Sequence, residues 1–115
     1  MPLVPADLEH LGESALQDFG RDVAQANCTD RVELEKQAQR LEARLEQLYA
    51  VAATMAQREE SLEAVAAIWG GMVSICDRMA TALSGLHQAH KSRLASYDSI
   101  LDIRNACEEN RALHA

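Results

Sequence analysis

The chain is poor in aromatic residues, proline and glycine. Among its 115 residues there are one Trp, two Tyr, one Phe, two Pro and five Gly. A β-sheet relies on aromatic and β-branched side chains and on turns that contain glycine or proline, so this composition disfavours a sheet. Ala, Leu, Glu, Gln and Arg are abundant instead, which is typical of long helices. We therefore predict an all-α fold that forms about one domain.

Basic residues and long hydrophobic runs are also scarce. Lys and Arg total 11 against 18 Asp and Glu, for a net charge of −7. An acidic chain gains little from phosphate neutralisation, so we expect no nucleic-acid partner. The longest nearly uncharged stretch, residues 64–76, is shorter than the ~20 residues needed to cross a bilayer. Residues 1–10 lack the basic start and apolar run of a signal peptide. We expect a cytoplasmic protein without membrane insertion.

The three cysteines are widely spaced and form no CxxC motif. Their odd number and spacing fit a reduced, cytosolic compartment. Cys76 lies among apolar residues, so its thiol is expected to be protonated and inert. Cys28 lies in a predicted loop and is the better candidate for a reactive thiol, although no catalytic base stands near it in the sequence.

The first part of the chain predicts one helix over residues 5–26. Pro5 can occupy the first turn of a helix, and apolar residues then recur every three or four positions. Gly12 and Gly20 weaken this helix. Residues 27–30 form a predicted loop, and Asp30 with Glu33 resembles a capping box for the next helix.

The strongest pattern is an apolar heptad repeat that begins at Leu34. A period of 3.5 residues indicates helices that pack along a seam. We therefore predict a long coiled-coil helix or a helical hairpin over residues 31–112, packing into a bundle. Glu59, His87 and His90 are the polar members of the repeat. The repeat comprises Leu34, Ala38, Leu41, Leu45, Leu48, Ala52, Met55, Glu59, Leu62, Ala66, Trp69, Val73, Cys76, Ala80, Leu83, His87, His90, Leu94, Tyr97 and Leu101.

A second apolar stripe between Val65 and Leu86 predicts that this segment is the centre of a bundle. Gly70 and Gly71 lie inside it. A turn there would expose the apolar neighbours, so we predict a continuous helix. The two glycines cost ~2 kcal/mol of helix propensity, and we expect the close approach of a neighbouring helix to offset that cost. If the chain folds back, residues 57–61 or 84–85 suit a turn better.

No motif for catalysis or cofactor binding stands out. His87 and His90 share a helical face and could bind zinc with Cys76, but no second pair completes the ligand set, so we expect no metal. The simpler interpretation is that these polar residues interrupt the apolar seam and so set the register of helix packing. His90 followed by Lys91 is similar to phosphotransfer bundles, although Ser92 stands where those have Gly. There is no phosphate-binding glycine loop and no nucleophile elbow. We predict no enzymatic activity and no cofactor.

Two segments resemble a known family. Residues 32–37 (VELEKQ) are similar to the start of the long helix in snapin-like proteins, and residues 83–87 (LSGLH) to its end. Those proteins are small coiled-coil subunits of complexes that build and position lysosome-related organelles. Residues 65–86 also resemble helical subunits of the fungal ring complex that couples kinetochores to microtubules. Both resemblances imply a non-enzymatic helical subunit of a cytosolic assembly.

From the repeat we predict a coiled-coil subunit or scaffold that binds other helical proteins, or copies of itself, through the heptad seam. One alternative is a small chaperone or adaptor that holds an amphipathic client helix in an apolar groove. A histidine phosphotransfer bundle is the other. The predicted partner-binding residues are Leu41, Leu45, Leu48, Met55, Leu62, Trp69, Val73 and Leu83.

Overall fold

A computed structural model describes residues 4–25, 31–90 and 94–113, with the backbone alone at residues 5 and 87–90. Over these ranges the chain is helical and contains no strand, which confirms the predicted all-α fold class. The predicted loop at 27–30 lies outside the described residues. The four helices are α1 (Pro5–Gln25), α2 (Arg31–Arg58), α3 (Leu62–His90) and α4 (Ala95–Leu113).

The bundle is organised around α2 and α3, which pack against each other. α1 and α4 each contact both of these helices but, within the described ranges, do not contact one another. The interface between α3 and α4 is the most extensive of the molecule. One hydrophobic core contains residues from all four helices: Leu8, Ala15 and Phe19 of α1; Leu34, Leu41 and Leu45 of α2; Ile68, Met72 and Met79 of α3; Ile100 and Cys107 of α4.

The chain reverses between α2 and α3 at residues 59–61. The Glu59 N–H donates a hydrogen bond to the Ala56 carbonyl at 3.3 Å, which closes the end of α2. The Ser61 hydroxyl then accepts a hydrogen bond from the Ala64 N–H at 3.2 Å. A serine that accepts from the third helical residue is an N-cap, and it satisfies a donor that the first turn would otherwise leave unpaired. The polar segment 57–61 therefore contains the turn, and Glu59 is exposed rather than buried in a seam.

α3 runs without interruption through Gly70 and Gly71, as the sequence predicted. A Cβ at Gly71 would meet nothing within 4 Å, and one at Gly70 would lie 3.6 Å from Cδ of Arg111, an ordinary contact. None of this chain's described helices therefore makes the expected close approach at these two glycines. Close approach occurs at Gly12 of α1, where a Cβ would lie 2.9 Å from Cγ1 of Ile75.

The start of α4 at Ala95, preceded by the non-helical Leu94, was not predicted. The Tyr97 N–H donates to the Leu94 carbonyl at 3.1 Å, where α4 begins. The heptad repeat continues across this break because α3 and α4 each keep an apolar face toward the same core. Leu94, for example, is 1% exposed. The periodicity therefore gave no sign of the break.

Polar contacts between helices supplement the core. Asp18 of α1 accepts a hydrogen bond from Arg44 of α2 at 2.6 Å. The Arg44 guanidinium lowers the pKa of Asp18, with a smaller contribution from Arg21, so the ion pair is retained well into the acid range. Tyr49 of α2 and Trp69 of α3 pack with ring centroids 5.3 Å apart at 48°. This tilted geometry is favourable for aromatic pairs.

Candidate partner-binding groove

The eight predicted partner-binding residues do not share one surface. Most of them are covered by the chain's own helices, because the seam of each helix faces the central core. Their role in binding a partner stays a prediction. Five are buried in the core: Leu41, Leu45, Leu48, Trp69 and Leu83. Met55 and Val73 are half-buried, and Leu62, at the start of α3, is 66% exposed.

An open groove of about 890 Å³ follows the outward face of α3, between α1 and α4. It exists because α1 and α4 flank α3 without touching each other over the described residues. Val73 is the one predicted partner-binding residue that lines it. The groove is lined by Leu16 of α1, by Gly70, Val73, Ser74, Asp77, Arg78, Thr81 and Ala82 of α3, and by Arg104, Glu108 and Arg111 of α4.

Small residues form the floor of the groove. Gly70, Ser74 and Thr81 share one face of α3 because they are separated by four and then seven residues. From Gly70 to Thr81 the floor extends for about 16 Å, or three helical turns. Val73 and Ala82 add small apolar surfaces on either side. A floor of this kind allows another backbone to come close to α3.

Ion pairs line the α4 side of the groove. Arg104 Nε donates to Asp77 Oδ1 at 2.8 Å, linking α4 to α3. Arg111 Nε donates to Glu108 Oε2 at 3.2 Å within α4. The hydrogen bond from Arg111 lowers the pKa of Glu108, and the hydrogen bond to Asp77 raises the pKa of Arg104. These hydrogen bonds favour the ionised forms of Glu108 and Arg104, and the two ion pairs give this wall a charged but balanced rim.

The α1 side has a matching ion pair between Arg78 of α3 and Glu13 of α1. Leu16 lies one turn further along α1 and contributes apolar surface to the groove. The groove has charged pairs on both rims and small or apolar residues between them. This arrangement resembles the usual division of a protein interface into a polar rim and a drier centre.

Both carboxylates that line the groove are engaged in ion pairs. Asp77 bonds to the guanidinium of Arg104, and Glu108 bonds to that of Arg111. Within the described ranges no three His, Cys, Asp or Glu side chains come together in a way that could hold a metal ion. The side chains of His87 and His90, considered above as zinc ligands, lie outside the described residues. Nor does any described helix have the length and hydropathy to span a bilayer.

Sequence reasoning missed the groove because it ranked residues by apolar periodicity. A signal was nevertheless present. Gly70, Ser74, Asp77 and Thr81 repeat at helical spacing on the part of α3 that neither apolar stripe covers. On an otherwise apolar helix, such a run of small and polar residues indicates a face that the chain's own core does not use.

Comparisons with known proteins add no homologue to this picture. No family model, curated protein or solved structure matches the chain. Functional inference therefore rests on the packing of the helices, on the composition of the groove and on the burial of the predicted seam residues.

Proposed function

We propose that this chain is a non-enzymatic helical-bundle subunit or adaptor that binds a helix of another protein in the groove over α3. The observation that supports this most directly is Gly70. It costs about 1 kcal/mol of helix propensity relative to Ala, no neighbouring backbone requires it, and it lies on the groove floor. A partner helix that packs closely against α3 would explain why a residue without a Cβ is tolerated there.

The length of the groove suits an α-helix, because its floor is long enough for three helical turns. Binding of an amphipathic helix in a groove is a common mode of recognition, in which residues at i, i+3, i+4 and i+7 act as anchors. Leu16, Val73 and Ala82 would contact the apolar stripe of the partner.

The ion pairs of the rim suggest the chemistry of the partner. Asp77, Arg78 and Arg104 place charges of both signs at the groove, so a helix that carries charges of both signs beside a narrow apolar stripe would fit. Such rim contacts contribute to specificity and orientation more than to affinity. The binding affinity would come from burial of the small and apolar residues of the groove floor.

Placing the partner on the outward face of α3 modifies the function predicted from the sequence. The heptad repeat and the resemblance to coiled-coil subunits support a role in assembling helices. The seam leucines already cover one another inside this chain, so we assign partner binding to the groove instead. Val73, which belongs to the seam and also lines the groove, would contact both the core and the partner.

Site-specific photo-cross-linking in the native cell tests the proposal. The photoreactive amino acid p-benzoylphenylalanine is placed at Thr81, which is exposed in the groove. Its matched control is placed at Gln39, exposed on α2, a helix that does not line the groove. We expect one defined cross-linked protein from position 81 and none from position 39, identified by mass spectrometry.

Blocking variants complete the test. Gly70→Trp should fill the groove and abolish the cross-link, whereas Gly20→Trp, at an exposed glycine of α1 with open space around it, should leave the cross-link unchanged. Circular dichroism would verify that both variants fold. Equal cross-linking from both probe positions, a cross-link that survives Gly70→Trp, or a second copy of this chain as the captured species would overturn the proposal.

A further inference from the structure

We propose that Cys76 and Cys107 form a reversible disulfide that covalently joins α3 to α4 when hydrogen peroxide oxidises the protein. This inference goes beyond helix binding by the groove and does not depend on it. It concerns a modification site in the interior of the bundle, and it is tested on the isolated chain.

The two cysteines face each other in the core. Both are 0% exposed, and they belong to the same hydrophobic cluster. Both are free thiols, and each is the other's hydrogen-bond partner across the interface between α3 and α4. A disulfide requires Cα atoms about 4.4–6.8 Å apart, and we infer that the two thiols, in contact across packed helices, can reach this geometry.

The register of the two helices independently places the cysteines together. Asp77 of α3 contacts Arg104 of α4 at 2.8 Å, and Gly70 of α3 lies beside Arg111 of α4. Moving seven residues forward on α3 thus corresponds to moving seven residues back on α4, so the helices are antiparallel. Cys76 lies between Gly70 and Asp77 on α3, and Cys107 lies between Arg104 and Arg111 on α4. Both cysteines are on the side of their helix that faces the core.

The thiol pair has an asymmetry that favours reaction with an oxidant. The hydrogen bond from Cys76 lowers the pKa of Cys107, because it stabilises a thiolate there. The same hydrogen bond, together with burial, raises the pKa of Cys76. In the proposed reaction Cys107 is the thiol that reacts first with peroxide, and Cys76 is the resolving thiol. The proposal therefore departs from the inert character that the sequence predicted for Cys76.

The chemistry balances with one molecule of hydrogen peroxide. The Cys107 thiolate attacks one peroxide oxygen, the O–O bond breaks, and the departing hydroxide takes a proton to become water. Cys107 is then a sulfenic acid. The Cys76 sulfur attacks the Cys107 sulfur, the S–O bond breaks, and the second oxygen leaves as water with the remaining proton. Two thiols have lost two electrons to peroxide, which yields one disulfide and two waters.

The pair lies directly beneath the α4 wall of the groove. Asp77 and Glu108 each follow one of the cysteines in sequence, and both line the groove. The ion pair between Asp77 and Arg104 bridges the two helices at the surface. Local separation of that exposed ion pair would admit a molecule as small as hydrogen peroxide, whereas a bulky disulfide reagent would require wider opening of the helices.

The test uses the full chain with Cys28→Ser, so that the pair is the only source of thiols. The reduced protein is treated with hydrogen peroxide, denatured and alkylated with N-ethylmaleimide. We expect an intact mass without maleimide adducts and lighter by two hydrogens, and a peptide in which residues 76 and 107 are linked. Closing a loop of about 30 residues should raise the Tm by about 10 °C, and dithiothreitol should reverse both changes.

The matched control is Cys107→Ala in the same background. It retains every methionine, so it reports peroxide damage other than the disulfide, and its Tm should not rise after oxidation. Three results would overturn the proposal: both thiols still react with N-ethylmaleimide after peroxide treatment, the cysteines cross-link different chains, or the oxidised protein has a lower Tm than the reduced one. If the control fails to fold, the mass and Tm of the two-cysteine chain still decide the question.

Discussion

Among single residues, the glycines show how differently the same residue type can act within one bundle. Gly12 is buried and lets α1 approach Ile75 of α3. Gly20, on the same helix, is exposed and has open space around it. Sequence analysis treated both as weaknesses of the helix. The structure separates them, because a missing Cβ is useful only where another helix occupies its place.

This difference predicts opposite effects for two alanine substitutions in α1. In Gly12→Ala the new Cβ would lie 2.9 to 3.0 Å from three side-chain atoms of Ile75, a branched residue that is 2% exposed. Overpacking of this kind costs about 1–3 kcal/mol, and the gain in helix propensity offsets about 1 kcal/mol of it. We expect a net loss of about 1 kcal/mol in the free energy of unfolding, measured by urea denaturation.

Gly20→Ala is the matched control. It gains the same helix propensity without any clash, so the chain should become more stable by about 1 kcal/mol. Gly12→Ala as stable as the wild type would contradict the close packing of α1 on α3.

For the helices, the turn at 59–61 separates two elements that a heptad pattern alone would join. The apolar repeat runs through this segment, where Glu59 occupies the repeat position. What ends α2 and starts α3 is local hydrogen bonding, in which the Ser61 hydroxyl caps α3. The polar character of 57–61 indicated a possible turn, but neither the capping residue nor the choice of this site over 84–85 followed from the sequence.

Removing the cap should destabilise the protein without changing its fold. Ser61→Ala leaves the Ala64 N–H without its side-chain acceptor, which costs about 1 kcal/mol. The measurement is the urea midpoint of unfolding. The control is Ser74→Ala in the middle of α3, on the exposed groove floor, where replacing serine by a better helix former should stabilise by about 0.5 kcal/mol. Effects of the same sign in both variants would show that Ser61 does not act as a cap.

For the chain as a whole, most of the described seam residues are buried by the chain's own helices. The accessible surface is 6801 Å², close to the roughly 6,200 Å² expected for a folded monomer of this mass. The bundle is elongated, with extents of 48 × 27 × 15 Å, yet its core includes residues from every helix. A single copy therefore already covers most of the apolar surface that the heptad repeat provides.

We accordingly expect the isolated chain to be a folded monomer. Sedimentation equilibrium should give a mass near 12.6 kDa that does not rise with concentration, and thermal unfolding followed by circular dichroism should be a single cooperative transition. A mass that increases with concentration, or a chain without a cooperative transition, would show that the bundle needs another chain to complete it.

Much of the helical structure could be read from local information. Composition and apolar periodicity indicated helices throughout, the start of α1 at Pro5, and a continuous helix through Gly70 and Gly71. These features depend on backbone propensity and on which side of a helix is apolar, and both are properties of neighbouring residues.

The arrangement of the helices depended on contacts between residues far apart in the chain. Periodicity tells which face of a helix is buried but not what covers it, so a repeat of 3.5 residues fits a partner chain and a self-contained bundle equally well. The break before α4, the pairing of Cys76 with Cys107 and the groove between α1 and α4 follow from how four helices fill one core. That is a packing problem of the whole molecule, and no local stretch of sequence contains its solution.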